Sequence, residues 1–563
     1  MPKIHITTPI FYPNAKPHLG HFYTLALCDV QVRFNKLRYF NDTNSKIKFT
    51  TGTDEHGLKI QNAATKLQLD TQAFVNQLSL TFKDLCSKSN IQYDRFIRTT
   101  DKDHVAEVGT FWKECKKDIC TDEHKGWYSI SDETFYPDNY IKEVLPDGKQ
   151  ISISKDIDYS TISQDRAFIN TETNNQVKFF LEQNYFFKLD NYRHNLINHI
   201  EQNPDFIQPS KYSTAVLNLL KKEPLNKLSI SRPSKRLNWA IPVPEDPNQS
   251  VYVWFDALCN YLTVLGSIPE IRNQSSEAHQ FMQNTTHVIG KDILKFHCIY
   301  WPIFLMSANL PLPKRVVVHS HWLNDGVKMS KSLGNVVDPI EHLTKYDSDS
   351  LKWAILHNSS VEQDGNFRDT YLKDTRNGVL VNKLCNLVSR SSKKFNPKIA
   401  IDNWQPIFKQ NDSDLKNILN ELNDKNNISP VLSNSLLEIE QILDWLQKNY
   451  IKQMEAFNYQ VVTTKLINLL DLANEIFQDI APWSIKDGGD IKKKELALFL
   501  ANDVARIFCI YAKPVLPNIT ENLFEVLLIP KEESNDLKLC KLGYGSSYGK
   551  QYKEGLKILS RVD

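Results

Sequence analysis

The sequence lacks the features that mark membrane-spanning, disulfide-stapled and repeat proteins. None of the apolar stretches in its 563 residues approaches the roughly 20 residues of a membrane span, and the nearest candidate, 301–312, is interrupted by Ser307, Asn309 and Pro311. The nine cysteines include no C-x-x-C pair, so neither a zinc knuckle nor a disulfide framework is indicated. Nothing repeats at the roughly 20–50-residue periods of solenoids.

An excess of charge of one sign is missing as well. Lys and Arg total 68 against 66 for Asp and Glu, which gives a formal net charge of +2. A nucleic-acid partner would therefore have to meet local basic patches, because the whole molecule supplies little attraction. The length exceeds that of a single core and predicts roughly three to four domains.

What the sequence does contain is an α/β pattern. Residues 3–7 and 47–51 read as strands, and apolar residues between His18 and Arg38 recur at helical spacing. This alternation predicts a parallel sheet with binding residues at the carboxyl ends of its strands. Further candidate strands lie at 252–255, 287–289 and 316–318.

The remaining segments differ in composition and divide the chain. A stretch rich in Asp, Lys, Asn and aromatic residues predicts a connective domain, 116–225, inserted between two halves of the sheet domain, 1–115 and 226–345. Amphipathic periodicity then predicts a helical domain over 346–545, followed by a C-terminal tail, 546–563. The helical runs are 371–395, 432–455, 457–480 and 492–512.

Two short segments carry candidate chemistry, and the first is a histidine pair. His18 and His21 open the first predicted helix, whose unpaired N–H groups and positive dipole end favour phosphate. Gly20 lets a flat group such as adenine approach the backbone. Taken alone, the pair also fits two partly buried helix histidines. A zinc site is a third reading, but no third ligand stands at a useful spacing.

The second segment is a lysine-rich turn. Lys328 and Lys331 flank Ser330, and Gly326 and Gly334 are predicted hinges on either side. Mobile positive charge suits phosphate chemistry because it meets the charge that develops on a leaving pyrophosphate. Because most lysines are exposed, the same residues also fit an ordinary solvated turn.

Together and in this order, the two segments resemble the paired signatures of class I aminoacyl-tRNA synthetases. Further runs are similar to the methionyl-tRNA synthetase family, namely 7–14, 52–57, 252–261, 289–297, 386–390 and 481–483. The resemblance implies a Rossmann-type parallel-sheet catalytic domain, split by the inserted domain and followed by an α-helical bundle that binds the anticodon. It also implies activation of L-methionine with ATP to methionyl-adenylate and transfer to the 3′ end of tRNA(Met).

The resemblance implies roles for particular residues. Asp54 would face the methionine ammonium group, and the side chain would be wrapped by Ile10, Tyr12, Trp254, Tyr261 and His297. By composition alone, Trp254 and Tyr261 fit a sheet core equally well. Mg²⁺ would partly neutralise the phosphates. The expected ATP-binding residues are His18, Gly20, His21, Gly290, Lys291, Asp292, Lys328, Ser330 and Lys331, of which His18, His21, Lys328 and Lys331 would be catalytic.

The helical domain carries the expected anticodon site. Asn386 and Arg390 are four residues apart and share a helix face, and Trp483 follows on a later element. An amide, a guanidinium and an indole suit splayed RNA bases through stacking and edge hydrogen bonds. Without the resemblance, ordinary helix surface and a half-buried tryptophan would explain the same residues.

The insertion departs from the family pattern. Many relatives carry zinc knuckles that open with C-x-x-C after a Gly-Trp-Tyr run, but Ser129 and Asp132 stand at those positions here. We therefore expect no structural zinc. The insertion should instead be held by packing of aromatic residues, namely Trp127, Tyr128, Phe135 and Tyr136.

The absent knuckle and the moderate length are most similar to mitochondrial, in particular fungal, members, which predicts the mitochondrial matrix. A strand that begins at residue 3 leaves no room for a presequence and favours the cytoplasm as the alternative. The expected partners are tRNA(Met), L-methionine and ATP, with no membrane. No further tRNA-binding or dimerising module is evident after about residue 545, so we expect a monomer.

Rival readings remain. The nearest is another class I synthetase, for leucine, isoleucine, valine or cysteine. The insertion of about 110 residues is short for the editing domain of the aliphatic-specific enzymes, and the zinc-binding cysteines expected of a cysteine enzyme are missing. A non-catalytic tRNA-binding paralogue would be expected to have degraded histidine and lysine segments. A small nucleotidyltransferase with the same histidine pair would not need the helical domain.

Overall fold

The structure is a computed structural model. It describes residues 2–129, 134–153, 166–329, 334–392, 395–410, 418–419, 422, 428–486, 489–545, 548–549 and 559–563. Within these ranges, no helix combines the length and the apolar character that crossing a membrane requires.

A parallel sheet forms the centre of the N-terminal part. Each pair of neighbouring strands in it is parallel. Because Lys3–Thr7 lies between a strand from early in the chain and one from after the insertion, the connections diverge at this strand, and α/β sheets bind ligands at such a point. From one edge to the other, the strands are Ile207–Gln208, Arg315–His319, Thr285–Gly290, Lys3–Thr7, Lys46–Thr53 and Arg95–Arg98.

Histidines and threonines are buried between these strands. The two ring nitrogens of His5 lie 3.0 Å from Thr285 Oγ1 and 2.9 Å from Thr50 Oγ1. The Nδ1 atom of His287 lies 2.9 Å from Thr7 Oγ1 on the same sheet. Burial lowers the pKa of His5 to about 3 and the pKa of His287 well below its ordinary value, so both rings are neutral.

Helices cover the sheet, and one of them corrects a prediction. The run 252–255 was expected to be a strand, but Val253–Thr263 is a helix that is buried on almost every side. A short, continuously apolar run carries no periodicity that separates a buried strand from a buried helix. The helices here are Leu19–Arg38, Leu58–Lys66, Thr71–Lys88, Lys102–Glu114, Arg193–Gln202, Ser210–Lys222, Val253–Thr263, Ile268–Arg272, Glu277–Gln283 and Trp301–Ser307, with a π-helical turn at Phe296–Tyr300.

An antiparallel sheet follows Lys102–Glu114. Its longest strands, Ile119–Ser129 and Gln176–Phe187, pair along their whole common length. Trp127 is buried, with its ring 4.3 Å from that of Phe168. The other strands are Thr134–Tyr136, Ile141–Val144, Gln150–Ser152, Ala167–Asn170 and Leu228–Ser229.

The aromatic packing expected in the insertion is present where it is described. Tyr128 is buried, and Tyr136 packs at the edge of the cluster around Trp127. Asp132 and the side chain of Phe135 lie outside the described residues.

The segment predicted as an insertion, 116–225, extends beyond the antiparallel sheet. Ile207–Gln208 lies inside it and yet pairs with Arg315–His319 at the edge of the parallel sheet. A two-residue strand has no periodicity, so the sequence did not reveal it. The other domain boundaries stay predictions.

Two small sheets connect the larger units. One contains Ser231–Pro233, Pro242–Val243 and Asp246–Val251. The other contains Trp322–Asn324, Val327–Lys328 and Gly365–Phe367, and it leads into the lysine-rich turn. Short 3₁₀ turns occur at Lys116–Asp118, Asp138–Tyr140, Leu189–Tyr192, Lys291–Ile293, Glu533–Asn535 and Leu537–Leu539.

The C-terminal part is helical, as predicted. Two of its long helices, Pro430–Glu455 and Ile491–Ala512, begin at side-chain caps: Ser429 accepts from the Leu432 N–H at 3.0 Å, and Asp490 accepts from the Lys493 N–H at 3.0 Å. The helices are Pro339–Tyr346, Ser348–His357, Asp369–Lys373, Asn386–Ser392, Pro397–Gln410, Pro430–Glu455, Tyr459–Ile480, Ile491–Ala512 and Pro517–Leu527, with a π-helical stretch at Asp374–Cys385.

A buried ion pair joins the first helix to this helical part. Lys352 Nζ lies 2.8 Å from Asp29 Oδ2, and neither side chain is more than 2% exposed. Arg33 Nε also donates to the same carboxylate at 2.9 Å. The apolar residues around the pair belong to one continuous core that includes both parts of the chain.

Candidate active site

A cavity of about 540 Å³ lies at the carboxyl ends of the central strands. This volume is in the usual range for a small-molecule site. Most of the residues that the sequence assigned to methionine and ATP meet here. They are Ile10, Tyr12, His18, Gly20, His21, Asp54, Trp254, Tyr261, Gly290, Asp292, His297 and Lys328.

The histidine pair forms the N-terminal cap of Leu19–Arg38. The Gly20 N–H donates to His18 Nδ1 at 3.0 Å, and the His18 N–H donates to His21 Nδ1 at 3.0 Å. Because both Nδ1 atoms accept, a neutral ring carries its proton on Nε2 in each case. The cap therefore sets the tautomer that can donate from Nε2 to a phosphate oxygen.

Gly20 is needed for this cap. A Cβ at this position would lie 2.9 Å from Cε1 of the His18 ring, which is too close for any side chain. The sequence predicts that Gly20 makes room for adenine. The contact with the His18 ring is a second reason for a glycine at this position.

The apolar wall of the cavity is aromatic. The rings of Trp254 and Phe296 stack with 3.6 Å between their centroids and 12° between their planes. Tyr261 OH lies 2.8 Å from His297 Nε2, and His297 Nδ1 lies 3.1 Å from the carbonyl oxygen of Ile293. The carbonyl can accept only, so His297 donates from Nδ1 and accepts from Tyr261.

This wall is uncharged at neutral pH. Burial lowers the pKa of His297 to about 4, although its hydrogen bond to Ile293 opposes that shift. Burial also raises the pKa of Tyr261 far above its ordinary value. The buried carboxyl group at this end of the cavity is that of Asp54, which follows the strand Lys46–Thr53.

The neighbours of Asp54 are anchored behind the cavity. Glu55 is fully buried, and its carboxylate accepts from Arg98 Nε at 2.7 Å and from Arg98 Nη2 at 2.8 Å. His56 Nδ1 lies 2.7 Å from Asp256 Oδ2, and His104 Nε2 lies 2.7 Å from Asp256 Oδ1. Asp256 belongs to the helix that carries Trp254, so this contact fixes two walls of the cavity relative to each other.

Asp256 stays ionised in this setting. Burial alone would raise the pKa of Asp256, but the charges and hydrogen bonds of His56 and His104 lower it below its ordinary value. The sequence did not reveal this cluster, since its members lie far apart in the chain and only folding brings them together.

Sequence reasoning also missed His319, the last residue of the strand Arg315–His319, and His321, which follows it; both line the cavity. His319 Nε2 lies 2.8 Å from Thr24 Oγ1, and burial lowers the pKa of His319 to about 4. The signal was present, because a strand was predicted at 316–318 and binding residues follow such strand ends.

The residues expected to bind ATP at the end of Thr285–Gly290 and in the lysine-rich turn do not all lie in the same place. Asp292 lies at the rim of the cavity with its Oδ1 3.1 Å from His321 Nε2. Desolvation opposes its ionisation, but the hydrogen bond and charge of His321 outweigh it and lower the pKa of Asp292 to about 2. Lys291 does not line the cavity; its Nζ lies 2.7 and 2.9 Å from the carboxylate oxygens of Asp364. Ser330 and Lys331 lie outside the described residues.

The residues expected at the anticodon form a separate surface. The Arg390 guanidinium lies 5.1 Å from the ring centroids of both Trp483 and Phe477. Trp483 is 49% exposed, and Asn386 is exposed one helical turn before Arg390. An exposed indole beside a guanidinium can stack on an unpaired base.

No metal cluster accompanies the cavity in the described ranges, where no three His, Cys, Asp or Glu side chains are grouped to hold an ion. The expectation of a zinc-free insertion stays a prediction, since part of that segment falls outside those ranges.

Comparison with known proteins gives consistent results. The family described as tRNA synthetases class I (M) matches residues 4–392. The chain is 40% identical to the mitochondrial methionine–tRNA ligase of Saccharomyces cerevisiae, over 97% of this chain and 93% of that protein. It is 39% identical to the mitochondrial methionine–tRNA ligase of Candida albicans, over 99% of this chain and 96% of that protein.

A solved structure matches over the whole length. Mycobacterium tuberculosis methionyl-tRNA synthetase in complex with methionyl-adenylate is 30% identical, with a TM-score of 0.81, and the match covers 100% of both chains.

Proposed function

We propose that this chain, which belongs to the class I methionyl-tRNA synthetase family, activates L-methionine with ATP and transfers the methionyl group to the 3′ end of tRNA(Met). One observation carries the proposal. A single cavity brings together a helix N-terminus capped by two histidines, a buried carboxylate and a neutral aromatic wall. Each suits one part of methionine or ATP.

The chemistry needs no covalent enzyme intermediate. The methionine carboxylate attacks the α-phosphate of ATP and pyrophosphate leaves. The terminal ribose hydroxyl of tRNA then attacks the carbonyl of the adenylate, loses its proton, and AMP leaves as the ester forms. His18 and His21 donate from Nε2 to phosphate oxygens at the positive end of the first helix. Lys328, together with Lys331, offsets charge that develops on the leaving pyrophosphate. Mg²⁺ enters with ATP as part of the substrate.

Methionine selection follows from the other end of the cavity. Asp54 pairs with the ammonium group, while the stacked Trp254 and Phe296 and the bonded pair of Tyr261 and His297 form rigid walls. Thioether sulfur makes favourable contacts with aromatic rings, and rigid walls exclude branched side chains. Ile10 and Tyr12 complete this end.

By resemblance, Gly290, Asp292 and Ser330 hold ATP, and the position of Gly290 and Asp292 in the cavity lining supports this role for both. The surface of Asn386, Arg390 and Trp483 receives the anticodon bases. This division assigns amino-acid activation to the sheet domain, 1–115 and 226–345, and tRNA identity to the helical domain, 346–545. The segment 116–225 connects the two halves of the sheet domain, and 546–563 forms the tail.

The setting of the enzyme is also part of the proposal. Fungal relatives named as mitochondrial enzymes support the mitochondrial matrix as its location. We infer a monomer with a zinc-free insertion, in which Ser129 takes a position that a thiolate would need. Sedimentation as a dimer would contradict the first inference, and stoichiometric zinc in purified protein would contradict the second.

The test of the proposed function is amino-acid-dependent exchange of pyrophosphate into ATP, with each of the twenty amino acids in turn. The proposal predicts exchange with methionine alone. Exchange with leucine, isoleucine, valine or cysteine would keep the mechanism and discard the pocket assignment. No exchange by a protein that still binds tRNA would favour a non-catalytic paralogue.

A further inference from the structure

The lysine-rich turn begins in a short, well-fastened hairpin. Trp322–Asn324 and Val327–Lys328 pair antiparallel around Asp325 and Gly326, whose φ values are 50° and 75°. Positive φ at both central residues is the two-residue turn that suits the twist of paired strands. Lys328 therefore leaves a defined strand end and lines the cavity.

A third strand, Gly365–Phe367, holds this hairpin from the other side. The Gly326 N–H donates to Asn366 Oδ1 at 2.8 Å, which fastens the tip of the hairpin. A Cβ at Gly365 would lie 3.0 Å from the indole of Trp322, so the backbone here packs directly on that ring. The hairpin cannot shift without disturbing this strand.

Asp364 precedes that strand and connects it to the nucleotide side of the cavity. Its Oδ1 accepts from the His321 N–H at 2.9 Å and from Lys291 Nζ at 2.7 Å, and its Oδ2 accepts from Lys291 Nζ at 2.9 Å. Lys291 directly follows the strand Thr285–Gly290. The carboxylate therefore joins the end of a central strand to the root of the hairpin.

The connection continues to the rim of the cavity. The backbone N–H of His321 is held by Asp364, and its ring Nε2 lies 3.1 Å from Asp292 Oδ1. Asp292 and Lys328 both line the cavity. The Asp364 carboxylate lies outside the cavity, but it thus sets the distance between Asp292 and Lys328, which both face the cavity.

We propose that Asp364 is a positioning residue for the ATP half-reaction, which fixes the hairpin that carries Lys328 relative to the turn that carries Asp292. The inference rests on the proposed function and adds to it a residue that touches neither substrate. The inference also changes the role expected for Lys291: its ammonium group binds Asp364 rather than the nucleotide.

The test is Asp364→Asn in the full-length protein, assayed by methionine-dependent pyrophosphate exchange. The amide keeps an acceptor for the His321 N–H but loses the charge that binds Lys291. We expect kcat/KM for ATP to fall about tenfold, which is the effect of losing charge-assisted hydrogen bonds worth about 1.4 kcal/mol. The KM for methionine should stay within about twofold of the parent value, since the methionine walls do not contact Asp364.

Glu277→Gln is the matched control. Glu277 is another carboxylate held by lysines, with Lys3 and Lys46 Nζ at 2.8 and 2.7 Å, but it lies away from the cavity. It should leave both kinetic constants unchanged. Parent protein that exchanges with no amino acid would refute the proposed function, whereas parental ATP kinetics in Asp364→Asn would overturn the positioning role alone.

Two further variants separate positioning from simple loss of structure. Asn366→Ala releases the hairpin tip and should reproduce the ATP-specific defect. Lys291→Met should do the same, and the double variant with Asp364→Asn should be no worse than either single one, because both remove one contact. Equal losses for methionine and ATP, or a defect in Lys291→Met that Asp364→Asn does not share, would overturn the inference.

Discussion

Acid should destabilise the parallel sheet of this protein well before its carboxylates are protonated. Burial lowers the pKa of His5 to about 3 and the pKa of His297 and His319 to about 4, from an ordinary value of 6.5. Burial lowers the pKa of His287 in the same direction. As the pH falls below 6.5, the unfolded chain takes up protons on these histidines and the folded protein does not.

The size of the effect follows from linkage. A histidine with a folded pKa near 4 contributes stability that is full above pH 6.5 and is lost as the pH falls towards 4. Between neutral pH and pH 5, His5, His297 and His319 should each lower the free energy of unfolding by about 2 kcal/mol, and together by about 6 kcal/mol. The net stability of a domain is about 5–15 kcal/mol, so the sheet should be close to unfolding at pH 5.

Hydrogen exchange measured by mass spectrometry is the suitable assay, because it reports on each strand of a multidomain protein. Amides of Lys3–Thr7 and Thr285–Gly290 should lose most of their protection between pH 7 and pH 5, after correction for intrinsic rates. His5→Gln should remove about a third of the pH dependence that His5, His297 and His319 supply, whatever it does at pH 7. Protection that changes by less than about 1 kcal/mol would refute the reasoning.

Three further predictions concern single side chains. Trp483→Ala should spare methionine-dependent exchange and weaken tRNA charging, measured as kcat/KM for tRNA. Trp445→Ala, which removes a ring that also has a cation beside it, the Lys465 ammonium group, should change neither. Equal losses of both activities in Trp483→Ala would contradict the division of labour. Lys352→Met should lower the melting temperature, since it removes the buried ammonium group that pairs with Asp29. Arg33 still donates to that carboxylate, so the loss should stay below the about 3–5 kcal/mol that an uncompensated buried charge costs. An unchanged melting temperature would argue against the pair. Gly20→Ala should displace the histidine cap and therefore slow adenylate formation, which single-turnover experiments measure. Calorimetry should show unchanged methionine binding. Normal adenylate formation would show that the cap is dispensable.

Elements with a long periodic pattern were predicted well from the sequence. The first strand, Lys3–Thr7, has the predicted bounds, and the first helix and the helices Pro430–Glu455, Tyr459–Ile480 and Ile491–Ala512 lie within a few residues of theirs. Each of these helices is at least 20 residues long, so many positions contribute to the pattern. The run at 252–255 was too short for such a pattern, and the prediction of a strand there was wrong.

The candidate site was predictable where the motif residues follow strand ends or open a helix. His18, Asp54 and Gly290 lie at such places, and all line the cavity. Residues that act through another residue were not predictable. Asp256 and Asp364 meet their partners across about 150–200 and 70 positions of the chain, respectively. No local pattern in a single sequence carries that information.

The central claim is that this chain loads methionine onto tRNA(Met), and the direct measurement is aminoacylation with purified components. Radiolabelled methionine, ATP and a tRNA(Met) transcript should yield acid-precipitable methionyl-tRNA in amounts that approach one per transcript. The same transcript with its anticodon replaced should be charged far more slowly, since the exposed surface around Trp483 would lose its bases. Failure to attach methionine, or equal charging of both transcripts, would contradict the account.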